Sequence, residues 1–124
     1  MTFFLAAAVA VLGVVVGIAH STIGERRIFR PLMMEDQRGV LAGRTAQPIM
    51  RAVWHLPSLV WATLGVAVLV ARLQGGDIFV TVIAALVFAT SGVANLTALR
   101  MPHFGGLLLL ALSGLVVADG WFAV

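Results

Sequence analysis

Four apolar stretches, each long enough to cross a bilayer, run through this chain of 124 residues and leave few folds open to it. A helix spans the hydrocarbon core with roughly 20 residues. The stretches 3–23, 49–73, 78–99 and 103–122 meet that length, and the first carries no charge before Glu25. Lipid provides no hydrogen-bond partners for a backbone, so segments that cross it must be helices. Hydrophobic residues make up 61% of the chain and charged residues 10%. A water-soluble domain is about half apolar and about a quarter charged. A chain this short cannot hide such a surplus in a core of its own. The expected fold is all-α: one domain, residues 1–124, built as a four-helix transmembrane bundle with antiparallel neighbours.

The connections and their charges predict how the bundle sits. Spans two and three are joined by Gln74-Gly75-Gly76-Asp77, and spans three and four by Arg100-Met101-Pro102. The first connection, 24–48, is longer and holds Pro31 and Pro48. The residue before a proline is pushed out of the helical region, so helix one should run to about Phe29 and stop before Pro31. The remainder, including Leu32-Met33-Met34-Glu35-Asp36, is expected along the interface. Arg26, Arg27, Arg30, Arg38, Arg44, Arg51 and Arg100 fall on one side of the membrane, and Arg72 alone falls on the other. An excess of arginine in short connections marks the cytoplasmic face. Both termini are therefore expected outside, in a bacterial inner membrane. Each basic group near the surface adds about 1 kcal/mol of attraction to anionic lipid. This makes Arg26, Arg27, Arg30, Arg51 and Arg100 candidate head-group contacts.

Several classes drop out. The arginines flank apolar segments rather than lying among solvated aromatics, so nucleic acid is not the partner. Cysteine is absent, which excludes disulfides and thiolate chemistry, and lysine and tyrosine are absent too. The first span lacks a basic leader and a convincing small-residue cleavage site, so it reads as a retained span.

Helices associate in lipid through close contact at small residues. Span one carries Ala6, Ala10, Gly13, Gly17, Ser21 and Gly24 at spacings of three and four, which puts them on one face. Span three carries Thr81, Ala85, Phe88, Gly92 and Asn95, and span four Gly106, Leu110, Ser113, Gly114 and Ala118. Gly13, Gly17, Gly92 and Gly114 are the expected packing glycines, although Gly13 and Gly17 also make a GxxxG step suited to a homodimer. Pro57 removes a helical hydrogen bond and predicts a kink near Val53 and Trp54. Trp54 suits an interfacial belt, Trp61 lies deeper and packs, and Trp121 suits the outer interface.

One constellation stands above this generic pattern. His20, His55, Asn95 and His103 all fall near the cytoplasmic boundary, with Glu25 just beyond His20. Polar groups within a membrane face the interior and pair with something. Three uses compete. Imidazoles ligate haem iron or a metal; against this, no HxxxH or HExxH spacing occurs. An amphiphile such as a quinone or lipid can place its head among the histidines and its tail between helices. Alternatively, the histidines bond across helices in an accessory subunit of a membrane complex or in a homo-oligomer. No nucleophile–base pair points to an enzyme, since Ser21 adjoins His20 and adjacent helical residues point apart. At the outer end Arg72, Asp77 and Asp119 are the only charges, and Arg72 with either acid reads as an exposed interface pair worth about 1 kcal/mol or less.

Through His20-Ser21-Thr22-Ile23-Gly24-Glu25-Arg26 and Trp54-His55-Leu56, the first half of the chain resembles a group of uncharacterised small bacterial four-span membrane proteins. Their first span ends in a similar His-Ser…Gly-Glu step and their second opens with a Trp-His step. The resemblance implies no chemistry, but it favours His20, Glu25 and His55 acting together, with the carboxylate orienting an imidazole. The small multidrug-resistance exporters match in size, but they carry a membrane-embedded glutamate in the first span that is missing here. The fluoride channels also match in size, but their glycine-rich opening and mid-bundle asparagines are missing. The function expected is that of a non-catalytic accessory or binding subunit, with a haem, metal or quinone site as the alternative and a small-solute channel or transporter behind it.

The arginine asymmetry predicts an orientation that the cysteine-free chain makes easy to test. Gln74→Cys should react with an impermeant maleimide added outside intact cells, and Gly39→Cys only after permeabilisation. The reverse pattern would overturn the orientation.

Overall fold

A computed structural model describes residues 2–34, 39, 43, 45–100 and 103–122. Helices α1 (Thr2–Gly24), α2 (Arg30–Met34), α3 (Ala46–Leu73), α4 (Ile78–Leu99) and α5 (Phe104–Trp121) account for nearly all of the described residues. A π-helical turn, Glu25–Phe29, joins α1 to α2. Four of the helical stretches are long and apolar enough to cross a membrane, with only 17–33% of each span's most apolar window buried within the protein. Phe4, Val11, Leu59, Phe79 and Leu86 point outward. Apolar surface on that scale needs a non-aqueous cover, as expected of a multi-pass membrane protein.

The first helix does not stop at Phe29 as Pro31 led us to expect. In the π turn the backbone bonds one residue further back, and the Arg30 N–H donates to the Glu25 carbonyl. Pro31 then falls in the first turn of α2, where a missing N–H leaves no gap in the ladder. Of the stretch expected along the interface, Leu32, Met33 and Met34 belong to α2, while Glu35, Asp36, Arg38 and Arg44 lie outside the described residues, as do Met101 and Pro102.

The closest helix pair is α1 with α3, and glycine makes it possible. A Cβ on Gly13 would lie 2.8 Å from the Trp61 carbonyl, one on Gly17 2.5 Å from that of Ser58, and one on Gly65 2.9 Å from that of Val9. The GxxxG step of α1 is therefore used within the chain. A second glycine crossing joins α4 to α5: a Cβ on Gly92 would meet the Gly106 carbonyl at 2.9 Å. Ser113 adds a hydrogen bond across it, donating to the Ala85 carbonyl at 2.8 Å. Gly114 is not a packing position, because nothing lies within 4 Å of its added Cβ. Its neighbour Ser113 faces α4 instead.

Between these pairs lies a core of Val9, Val16, Trp61, Val68, Phe88, Leu109, Leu112 and Val116. Trp61 also donates from Nε1 to the Ser91 hydroxyl of α4 at 3.0 Å. Helix α3 passes unbroken through Pro57. Its turn into α4 uses Gly75 and Gly76 at φ of 101° and 92°, where a side chain would be strained. Asp77 caps α4, accepting from the Phe79 N–H at 2.8 Å and the Val80 N–H at 3.3 Å.

These contacts separate two glycines of equal composition. Gly17→Ala should destabilise the protein by about 1–3 kcal/mol through overpacking. Gly114→Ala should be neutral, or stabilise by up to about 1 kcal/mol through helix propensity. Thermal unfolding in mild detergent measures both, and equal effects would sink the glycine-contact explanation.

Candidate functional site

The α1–α3 contact ends at Gly24, whose missing side chain makes room for the indole of Trp54. Adjacent residues of an α-helix point about 100° apart, so His20 and Ser21 leave α1 on opposite flanks of the contact. Two different environments result.

On the first flank, aromatic rings hold His20. Its imidazole stacks on Trp54, with centroids 4.6 Å apart and planes 11° from parallel, and meets Trp61 edge-on at 5.1 Å. Phe29, buried by the π turn, contacts Trp54 edge-on at 5.6 Å. His20, Phe29, Trp54 and Pro57 form one part of a groove of about 420 Å³, and Ile49, Met50 and Val53 form the rest. Apart from the His20 ring edge this lining is apolar. The indole N–H of Trp54 is buried and has no hydrogen-bond partner.

On the second flank lies a polar relay. The Ser21 hydroxyl donates to the Ser58 hydroxyl at 2.9 Å and lies 2.9 Å from Nδ1 of His55. Nε2 of His55 faces the Glu25 carboxylate at 3.8 Å, too long for a hydrogen bond. Arg51 completes the chain, with a guanidinium nitrogen 2.9 Å from Glu25. Hydroxyls both donate and accept, so the relay's donor directions can reverse with the tautomer of His55. A hydroxyl, an imidazole and a carboxylate in sequence is also how nucleophilic catalysis is arranged. Here, however, Ser21 sits inside a helix, whose backbone N–H groups are already used. Among the described residues no oxyanion-stabilising donors are displayed beside it, and the groove lies on the other flank.

Of the residues singled out from sequence, His20, Glu25 and His55 converge on this end of α1 and α3, but in separate roles. His103 is exposed ahead of α5 and remains an electrostatic neighbour of His20. Asn95 turns back on its own helix, donating from Nδ2 to the Ser91 carbonyl at 2.9 Å. Arg51, expected to meet lipid head groups, is engaged by Glu25. No group of three or more His, Cys, Asp or Glu residues suited to a metal occurs among the described residues. Ser21 was read only as part of the small face of α1, and Ser58 was missed. Its signal was faint: Ser58 lies three residues after His55 and four after Trp54, on the side that meets α1.

The opposite end corrects another expectation. Arg72 pairs with Asp119 rather than Asp77, and the pair is not exposed, since the Asp119 side chain is 2% accessible. Arg72 donates from Nε to Oδ2 at 3.1 Å, and from a terminal nitrogen to the same oxygen at 2.5 Å and to the Asp119 carbonyl at 2.8 Å. The other carboxylate oxygen is buried without a partner. No family model, curated protein or solved structure matches this chain.

Removing one member of a buried pair strands the other charge. Arg72→Met should destabilise the protein by about 3–5 kcal/mol, and Arg72→Met with Asp119→Leu should recover most of that loss. Unfolding in detergent reads both, and a single variant no worse than the double would overturn the pair's role.

Proposed function

We propose that this protein is a small, non-catalytic binding subunit of a bacterial inner membrane, whose ligand is an amphiphile held in the groove between α1 and α3. Its four spans run as antiparallel neighbours, with both termini outside and the arginine-rich end in the cytoplasm. The contacts along α1 and α3 support the antiparallel course: Gly13, Gly17 and Gly24 meet Trp61, Ser58 and Trp54 in falling order. The arginine distribution supports the orientation.

The observation that carries the binding reading is the groove itself. It is an apolar recess of about 420 Å³ walled by His20, Phe29, Trp54 and Pro57 at the end of the bundle where charges begin. Pockets between bundle helices with few polar groups suit ligands with hydrocarbon parts. The haem and metal alternatives are less well served. Both ring nitrogens of His55 already face partners, Ser21 and Glu25. The His20 ring is packed against two indoles, and metal ligation needs an open nitrogen and convergent ligands.

Gently extracted protein, examined by absorption before and after dithionite and then by mass spectrometry of its organic extract, tests this. The expected result is a colourless protein retaining an amphiphile at near-unit ratio. A Soret band that shifts on reduction and disappears in His20→Ala would overturn the reading in favour of a haem site.

A further inference from the structure

We propose that the occupant of the groove is an anionic phospholipid, one acyl chain lying against Val53, Trp54 and Pro57 and its phosphate held by Arg26, Arg27 and Arg30. This rests on the amphiphile reading above and names the ligand class.

The lining excludes a polar head from the groove. A quinone ring presents two carbonyls and needs donors for both. The groove offers one imidazole edge, because the Trp54 indole N–H is turned against Gly24 and buried. An acyl chain needs no donors, and the outer wall of exposed Ile49, Met50 and Val53 opens to where such chains lie.

The charges beside the groove select the head group. The π turn buries Phe29 at 3% accessibility, as part of the groove wall, and leaves Arg26, Arg27 and Arg30 on either side of it exposed. None of the three forms an ion pair among the described residues. The described carboxylate at this end, Glu25, is engaged by Arg51. The other two described carboxylates, Asp77 and Asp119, cap α4 and pair with Arg72. Three guanidiniums without an ion pair among the described residues therefore lie within three residues of Phe29, one wall of the apolar recess. Guanidinium binds phosphate through paired, charge-assisted hydrogen bonds, and such a site demands a ligand that is anionic at one end and hydrocarbon at the other. Arg51 is not part of the site, because its charge is already matched.

The test is native mass spectrometry of the full-length protein, delipidated and then offered phosphatidylglycerol, phosphatidylcholine or a ubiquinone, with circular dichroism to confirm the fold of each variant. Phosphatidylglycerol should be retained over phosphatidylcholine by about tenfold or more. Combined Arg26→Gln, Arg27→Gln and Arg30→Gln should remove that preference, Arg51→Gln should leave it, and Val53→Trp, filling the recess from an exposed position, should abolish retention of either lipid. Equal retention of the two lipids, lost in Val53→Trp, would overturn the anionic head group. Preferential retention of the ubiquinone would overturn the phospholipid while leaving the groove as an amphiphile site. Retention of none of the three, or retention unchanged by Val53→Trp, would overturn both readings.

Discussion

The backbone contact between α1 and α3 governs the geometry of everything at the arginine-rich end. Lipid surrounds the bundle, so apolar burial gives little reason for two helices to meet, and the gain comes from close van der Waals approach. Gly13, Gly17 and Gly65 allow that approach, and Gly24 extends it by making room for the indole of Trp54. Once the two backbones are this close, neighbouring residues of α1 are sorted to opposite sides. His20 is drawn among indoles beside the groove, and Ser21 is drawn into the relay with Ser58 and His55. A bulkier residue at Gly17 or Gly24 would disturb both sides together.

The bundle handles its polar groups differently at its two ends. At the end opposite the arginines one carboxylate and one guanidinium are enclosed and tied by several hydrogen bonds, which joins α3 to α5. Such a pair need not add stability relative to an apolar filling, but its geometry specifies one register. At the arginine-rich end the buried Ser58 hydroxyl bonds through Ser21 to His55, and the partly exposed Glu25 faces His55 and pairs with Arg51. The groove and the relay share α3 but not a flank, so the apolar recess and the row of polar groups are separate features built on one contact.

Much of this was legible in the residues. The span boundaries follow from lengths of apolar sequence, and the helices end within three residues of where hydropathy places them, apart from the extension of α1. The small face of α1 was readable because spacings of three and four share a side. Gly114 was misread because it neighbours the position that faces α4, and a stripe of small residues does not say which of two adjacent ones touches. The helix end at Phe29 was misread because Pro31 breaks an α-helical ladder, whereas a π turn shifts the ladder before the proline arrives. The burial of Asp119 was missed because proximity to a span's end suggests solvent, while the fold encloses that end.

The sequence by itself determined that the chain carries four helices long and apolar enough to cross a membrane, and which residues are too polar to face lipid unpaired. Those properties are sums over composition and local spacing, and they do not depend on which helix touches which. Only the tertiary structure decided that His55 reaches Ser21 across the contact, that Glu25 takes Arg51 rather than Arg26, Arg27 or Arg30, and that Arg72 reaches Asp119. Each of these partnerships joins residues 26 to 47 positions apart. Helix rotation and backbone approach set them, and hydropathy carries no information about either.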